Sequence, residues 1–84
     1  SRKLNMKLIL ATSTFCGPCH ILKRKIADEK LEVETVEMES DPSLFKKYSV
    51  RAVPRLLVIE DDVLQESVQG IEDIIKKIKE HAKD

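Results

Sequence analysis

The chain has 84 residues, 42% of them hydrophobic and 36% charged, and its fifteen basic and fifteen acidic side chains cancel to a formal net charge of zero. A chain this short has room for one domain, 1–84, because a second could not bury a core of its own. Charge balance leaves no overall field to draw it to nucleic acid or anionic lipid, no apolar run reaches the ~20 residues of a membrane span, and no signal-peptide pattern opens it. Neither nucleic acid nor a membrane is therefore expected as a partner, and the expected state is a monomer. Ser1 is not an initiator methionine, so Ser1–Asn5 are read as an appended or disordered lead-in.

Met6 to Thr12 reads as a largely apolar strand buried on both faces. A polar stretch, Thr12–Phe15, leads into Cys16-Gly17-Pro18-Cys19. Pro18 suits the first turn of a helix, where its missing N–H removes no bond. Cys19, Leu22 and Ile26 then recur with helical spacing, which predicts a helix over 18–30 with Lys23, Arg24 and Lys25 turned to water. Residues 32–38 alternate imperfectly, with Val33 and Val36 out of phase and four glutamates nearby, and read as a charged edge strand. Ser40-Asp41-Pro42 is a helix start, and Leu44, Phe45 and Tyr48 extend the helix to 48. Residues 55–60 form the most apolar run and read as a central strand, with Asp61-Asp62 turning it into a hairpin partner over 63–69. Ile71, Ile74, Ile75, Ile78 and Ala82 define a last amphipathic helix over 71–82. The order β-α-β-α-β-β-α predicts an α/β fold, a four-stranded mixed sheet with helices on both faces.

Two cysteines separated by two residues, at a strand-to-helix junction, read as a redox pair. One helical turn brings positions i and i+3 to about 5–6 Å, a spacing a disulfide accepts. Cys16 falls just before the helix, where free backbone N–H groups and the dipole favour an anion and can lower a thiol pKa from ~8.5 to about 3.5–7.5. Cys16 is therefore the expected nucleophile and Cys19, on the apolar face, the resolving thiol. Three other readings compete. A structural disulfide over so short a loop would remove little unfolded-state entropy. A zinc site needs four ligands, and only His20 and His81 accompany the two sulfurs. Cys16 to His20 also matches the C-x-x-C-H pattern of covalent haem attachment. Having both cysteines in one motif, rather than widely spaced, points to a reducing cytoplasm.

The tetrad Cys16-Gly17-Pro18-Cys19 is similar to the active-site motif of thioredoxins, as is the run Tyr48 to Val58, with Gly70 at the family's position after the last strand. The resemblance implies the thioredoxin-like fold, a cis bond between Val53 and Pro54, and Val53 backbone groups that pair with an extended substrate. It also implies that Phe15, Gly17 and Pro18 support the site. The chain starts almost at the catalytic strand, as glutaredoxins do, so it looks like a small glutaredoxin-sized thioredoxin-like protein. Phe15 stands where thioredoxins typically have tryptophan, and Leu10 where they have the buried aspartate that assists proton transfer to the resolving cysteine.

The expected function is reduction of protein disulfides by the Cys16–Cys19 dithiol, with no organic cofactor and with an unidentified reductase or thiol as electron donor. The alternatives are a glutathione-dependent, glutaredoxin-like enzyme and a non-catalytic docking module. Arg55, Glu72 and Asp73 are candidate glutathione contacts, although acidic residues at a helix start already have a dipole explanation. His20 is read as a solvated helix residue or a tuner of Cys16. Lys23, Arg24 and Lys25 are read as a solvated face or a docking patch. Glu32, Glu34, Glu37 and Glu39 are assigned to edge-strand solvation, and Phe45 and Tyr48 to the core.

Overall fold

The computed structural model describes residues 6–82, so the expectation for Ser1–Asn5 lies outside the described residues. Strand β1 (Met6–Thr12) runs parallel to β2 (Glu34–Glu37) on one side and antiparallel to β3 (Arg55–Glu60) on the other. Strand β4 (Val63–Val68) completes the order β2-β1-β3-β4. The two apolar runs are thus the interior strands and the charged ones form the edges, where charge discourages pairing with another chain.

Because side chains alternate across a strand, β1 and β3 each serve two cores. Leu10 and its partner Leu56 face helices α1 (Gly17–Asp28) and α3 (Ile71–Ala82), meeting Leu22, Ile26, Ile74 and Ile78. Ile9 and its partner Leu57 face the opposite way, where Phe45 of α2 (Pro42–Lys47) and Val50 cover them together with Ala11 and Ile59. Each of the large buried side chains contributes about 1.5–3 kcal/mol of transfer free energy. The mixed sheet with helices on both faces is the predicted arrangement.

Strand β2 is shorter than the predicted 32–38. Val33 packs on the α1/α3 core and Val36 on the α2 core. Residues three apart in extended chain face opposite sides, so the imperfect alternation records an edge that serves both faces.

Helices α1 and α2 end earlier than predicted, at Asp28 and Lys47. In α1, Lys30 takes a left-handed φ of 57°, its N–H reaches the Ala27 carbonyl, and Leu31 N–H reaches the Ile26 carbonyl, both at 3.0 Å. In α2, Ser49 takes φ 55°, bonding Lys46 O at 3.3 Å, while Val50 N–H meets Phe45 O at 2.8 Å. Both ends are Schellman motifs, with Leu31 and Val50 as the apolar residues that follow. Glycine usually occupies the left-handed position, and its absence hid both stops. The β3–β4 hairpin turns on Asp61 and Asp62, both at positive φ, as a tight two-residue turn requires.

Gly70, at φ 89°, opens α3 in a backbone conformation that costs a residue with a Cβ about 1–2 kcal/mol. Gly70→Ala is expected to lower unfolding stability by that amount although its Cβ would meet nothing within 4 Å. Lys30→Gly is expected to raise stability by about 0.5–1 kcal/mol, the strain relieved less glycine's added unfolded-state entropy. Urea midpoints of the two variants check both signs.

Candidate active site

At the end of β1 the chain must reverse before α1 can pack back on the sheet. Cys16 is the N-cap of α1, with extended φ −109° and ψ 113°, followed by Gly17 and Pro18 in the first turn, one residue earlier than predicted. The Cys19 N–H donates to Cys16 Sγ at 3.2 Å. The two cysteines form a disulfide with a Cα–Cα distance of 5.3 Å. Cys19 is fully buried beside Leu22 and Ile26 on the inner stripe of α1, whereas Cys16 is half-buried. The Val53 carbonyl oxygen lies 3.8 Å from Cys16 Sγ, and the Val53–Pro54 bond is cis. Phe15 is 88% exposed beside the pair, with Gly17 and Pro18 also at the surface. Cys16, Cys19 and Val53 are thus brought together under an exposed rim.

The loop that carries them is clasped from below. Ser13 Oγ donates to Glu39 at 2.6 Å and accepts the Phe15 N–H at 3.3 Å. The Thr14 N–H donates to Glu39 at 3.1 Å and the Thr14 hydroxyl to Glu37 at 2.8 Å. Lys23 of α1 pairs with Glu37 at 2.5 Å. His20 Nε2 meets the Thr14 carbonyl at 2.8 Å, which ties the second turn of α1 to the same loop. The sequence pattern predicts edge solvation for Glu37 and Glu39, and a solvated face or a docking patch for Lys23. Instead they brace the reversal, because parallel pairing of β2 with β1 sets Glu37 beside Thr12. Their hydrogen bonds to Ser13 and Thr14, absent from the local pattern, distinguish these glutamates from Glu32 and Glu34.

Leu10 is a fully buried member of the α1/α3 core, so the position offers no carboxylate. Arg55 begins β3 directly after Pro54 and donates through Nη1 to Ser67 Oγ at 3.2 Å. Glu72 and Asp73 are exposed in the first turn of α3 and line shallow surface grooves with Lys76 and Glu80. Among the described residues, no three His, Cys, Asp or Glu side chains converge as metal ligands, and no helix is long and apolar enough to cross a membrane.

Two sulfurs bonded across a helix's first turn, one half-buried and one sealed in the core, do their chemistry by thiol–disulfide exchange, which is the work of an oxidoreductase. The thioredoxin family profile matches residues 2–83. Over 73 residues the chain is 27% identical to a thioredoxin of Staphylococcus epidermidis, covering 80% of this chain and 70% of that protein. A thioredoxin of Halobacterium salinarum, 26% identical, superimposes with a TM-score of 0.67 over 95% of this chain and 76% of that one. The oxidised thioredoxin of Plasmodium falciparum, 14% identical, shares the fold with a TM-score of 0.73 over 93% and 82% of the two chains. The chain belongs to the thioredoxin family. It is a thiol–disulfide oxidoreductase with protein-disulfide reductase activity.

The brace makes a pH prediction. The Lys23 ammonium, then the Thr14 hydroxyl, hold the Glu37 carboxyl below its ordinary range, and Ser13, then the Thr14 N–H, do the same for Glu39. Groups depressed in the folded state contribute stability above their unfolded pKa, near 4.3, and lose it as pH falls through the folded value. Wild-type urea midpoints should therefore drop more steeply below about pH 4.3 than those of Glu37→Gln/Glu39→Gln. Parallel curves for the two proteins would rule the brace out as a contributor.

Proposed function

We propose that the protein is a general protein-disulfide reductase in which Cys16 attacks and Cys19 resolves. The observation that carries this reading is the place of Cys16 at the N-cap, with the Cys19 N–H aimed at its sulfur. A hydrogen bond to a charged acceptor contributes about 1.5–3 kcal/mol, against roughly 0.3–1 kcal/mol for the helix dipole. The N–H is therefore the larger of the two terms favouring a Cys16 thiolate.

The Cys16 thiolate attacks one sulfur of a substrate disulfide, and the other leaves as a thiolate that takes up a proton. Cys19 then attacks Cys16 Sγ in the mixed disulfide. The second substrate sulfur departs with its electron pair, and the protein is left with a Cys16–Cys19 disulfide. An external reductase or thiol returns two electrons and two protons. The Val53 backbone, beside Cys16, is the surface for an extended substrate segment, with Phe15, Gly17, Pro18 and Pro54 framing it. A reductase needs a reducing donor pool, which supports a cytoplasmic setting and a monomer meeting many partners.

The glutathione-dependent reading keeps one specific support: Arg55 directly follows Pro54 and is only half-buried, a cation that a carboxylate could use. Against it, acidic residues at the start of α3 already have a dipole explanation.

Cys19→Ser is expected to accumulate mixed disulfides with substrate proteins, and Cys16→Ser to trap none; gel shifts under non-reducing conditions read this directly. Equal trapping by both variants would sink the assignment. Insulin reduction under dithiothreitol should be rapid, whereas turnover of a small glutathione mixed disulfide should be slow. Fast glutathione turnover that falls with Arg55→Ala would move the chain to the glutaredoxin side.

A further inference from the structure

Among the described residues, two buried side-chain polar atoms have no hydrogen-bond partner, Arg55 Nε and Thr12 Oγ1. Thr12 is fully buried, so no solvent compensates its hydroxyl. Leaving such a group unpaired costs about 1–3 kcal/mol, which valine of nearly the same shape would avoid. An unpaired hydroxyl on an interior strand therefore calls for a state of the molecule in which it has a partner.

The register shows which way it faces. Thr12 is two residues after Leu10, so it shares the sheet face covered by α1 and α3. Its partner across the parallel pair is Glu37, whose carboxylate meets Lys23 of α1, so side chains at this register point toward that helix. Lys23 is one turn beyond Cys19, and Leu22 and Ile26, on the Cys19 stripe, pack with Leu10 farther down the strand. Since α1 runs back along β1, the end of the strand falls at the level of the helix's first turns, where the Cys19 sulfur is buried. The charged groups on this face are Lys23 and Glu37, which bond each other, and Lys77 of α3 with Glu66 of β4, which do the same. Strand β3 and helix α3 otherwise present Leu56, Ile74, Ile75 and Ile78.

We infer that the Thr12 hydroxyl donates a hydrogen bond to the Cys19 sulfur when the disulfide is open, and so supports the resolving thiolate where Leu10 leaves no carboxylate. The inference rests on Cys19 being the resolving thiol. In the disulfide the hydroxyl has no partner, sulfur included, so the bond forms only once the S–S bond opens and the Cys19 side chain is free to turn. In the mixed disulfide Cys19 gives up its proton to the departing substrate sulfur or to water. Its thiolate, held by Thr12, attacks Cys16 Sγ, and the substrate sulfur leaves with the bonding pair. Thr12 takes neither electrons nor a proton. It stabilises the reduced form relative to the oxidised one.

The test compares Thr12→Val, Thr12→Ala and Thr12→Ser in the full chain. Losing a hydrogen bond to a charged sulfur corresponds to roughly tenfold or more. Thr12→Val should slow resolution of the mixed disulfide, measured by stopped flow with a disulfide-linked fluorescent peptide, by about tenfold while leaving Cys16 alkylation by iodoacetamide unchanged. It should also shift the dithiol–disulfide equilibrium with glutathione toward disulfide, and in a Cys16→Ser background move the Cys19 thiolate absorbance to higher pH. Thr12→Ala should behave alike, which keeps the test open if valine perturbs folding, and Thr12→Ser should restore all three readouts. Urea midpoints of the oxidised proteins should show Thr12→Val no less stable than wild type. Wild-type resolution and an unmoved Cys19 titration in both the valine and alanine variants would overturn the inference, as would failure of serine to restore them. Failure of the Cys16/Cys19 assignment is read separately, from trapping by Cys19→Ser with Thr12 intact.

Discussion

Strand β1 is covered on both faces and paired along both edges, so its chain can leave the sheet only at its end, and the helix that follows must fold back over one of those faces. That places the start of α1, with its unpaired N–H groups, at the rim of the sheet beside the segment that enters β3. Cys16 sits at that start, Cys19 one turn inside, and Val53 on the neighbouring segment. The sulfur chemistry depends on the reversal between Thr12 and Cys16 being held in one conformation. Glu37, Glu39 and His20 hold it, from a strand and a helix distant in sequence.

The electrostatics of the site follow from this arrangement. The half-buried sulfur is served by the backbone, through the Cys19 N–H and the helix terminus, and these terms exist in any sequence that caps a helix there. The buried sulfur has no such support, because it lies on the inner stripe among Leu22, Ile26 and the rest of the apolar core. The braced carboxylates are committed to Ser13, Thr14 and Lys23. The Cys16 sulfur is thus served by backbone dipoles, while the Cys19 sulfur depends on neutral neighbours.

Much of this was legible in the residues. The apolar runs, the helical spacing of Cys19, Leu22 and Ile26, the proline after Cys16, and the isoleucine stripe of α3 each state a local preference strong enough to survive folding. Where the reading missed, a tertiary term was the cause. Lys30 and Ser49 adopt left-handed backbone without being glycine, because Leu31 and Val50 gain more from packing beneath the helix ends than the strain costs. Glu37 and Glu39 look like Glu32 and Glu34 in composition, and differ in reaching Ser13 and Thr14 of the loop that follows β1.

By itself the sequence determined the fold class, the positions of the elements to within a few residues, and the dithiol with one sulfur at the helix start and the other on the buried face. Those features follow from interactions between residues near one another in the chain, where spacing maps directly onto geometry. Only the tertiary structure decided what surrounds the dithiol: the carboxylates beneath its loop, the Val53 carbonyl against Cys16, and the unpaired hydroxyl of Thr12 on the face that α1 covers. These come from strand register and helix packing across separations of about 25 and 37 residues, and nothing in the local pattern of either segment encodes which residues such packing will bring face to face.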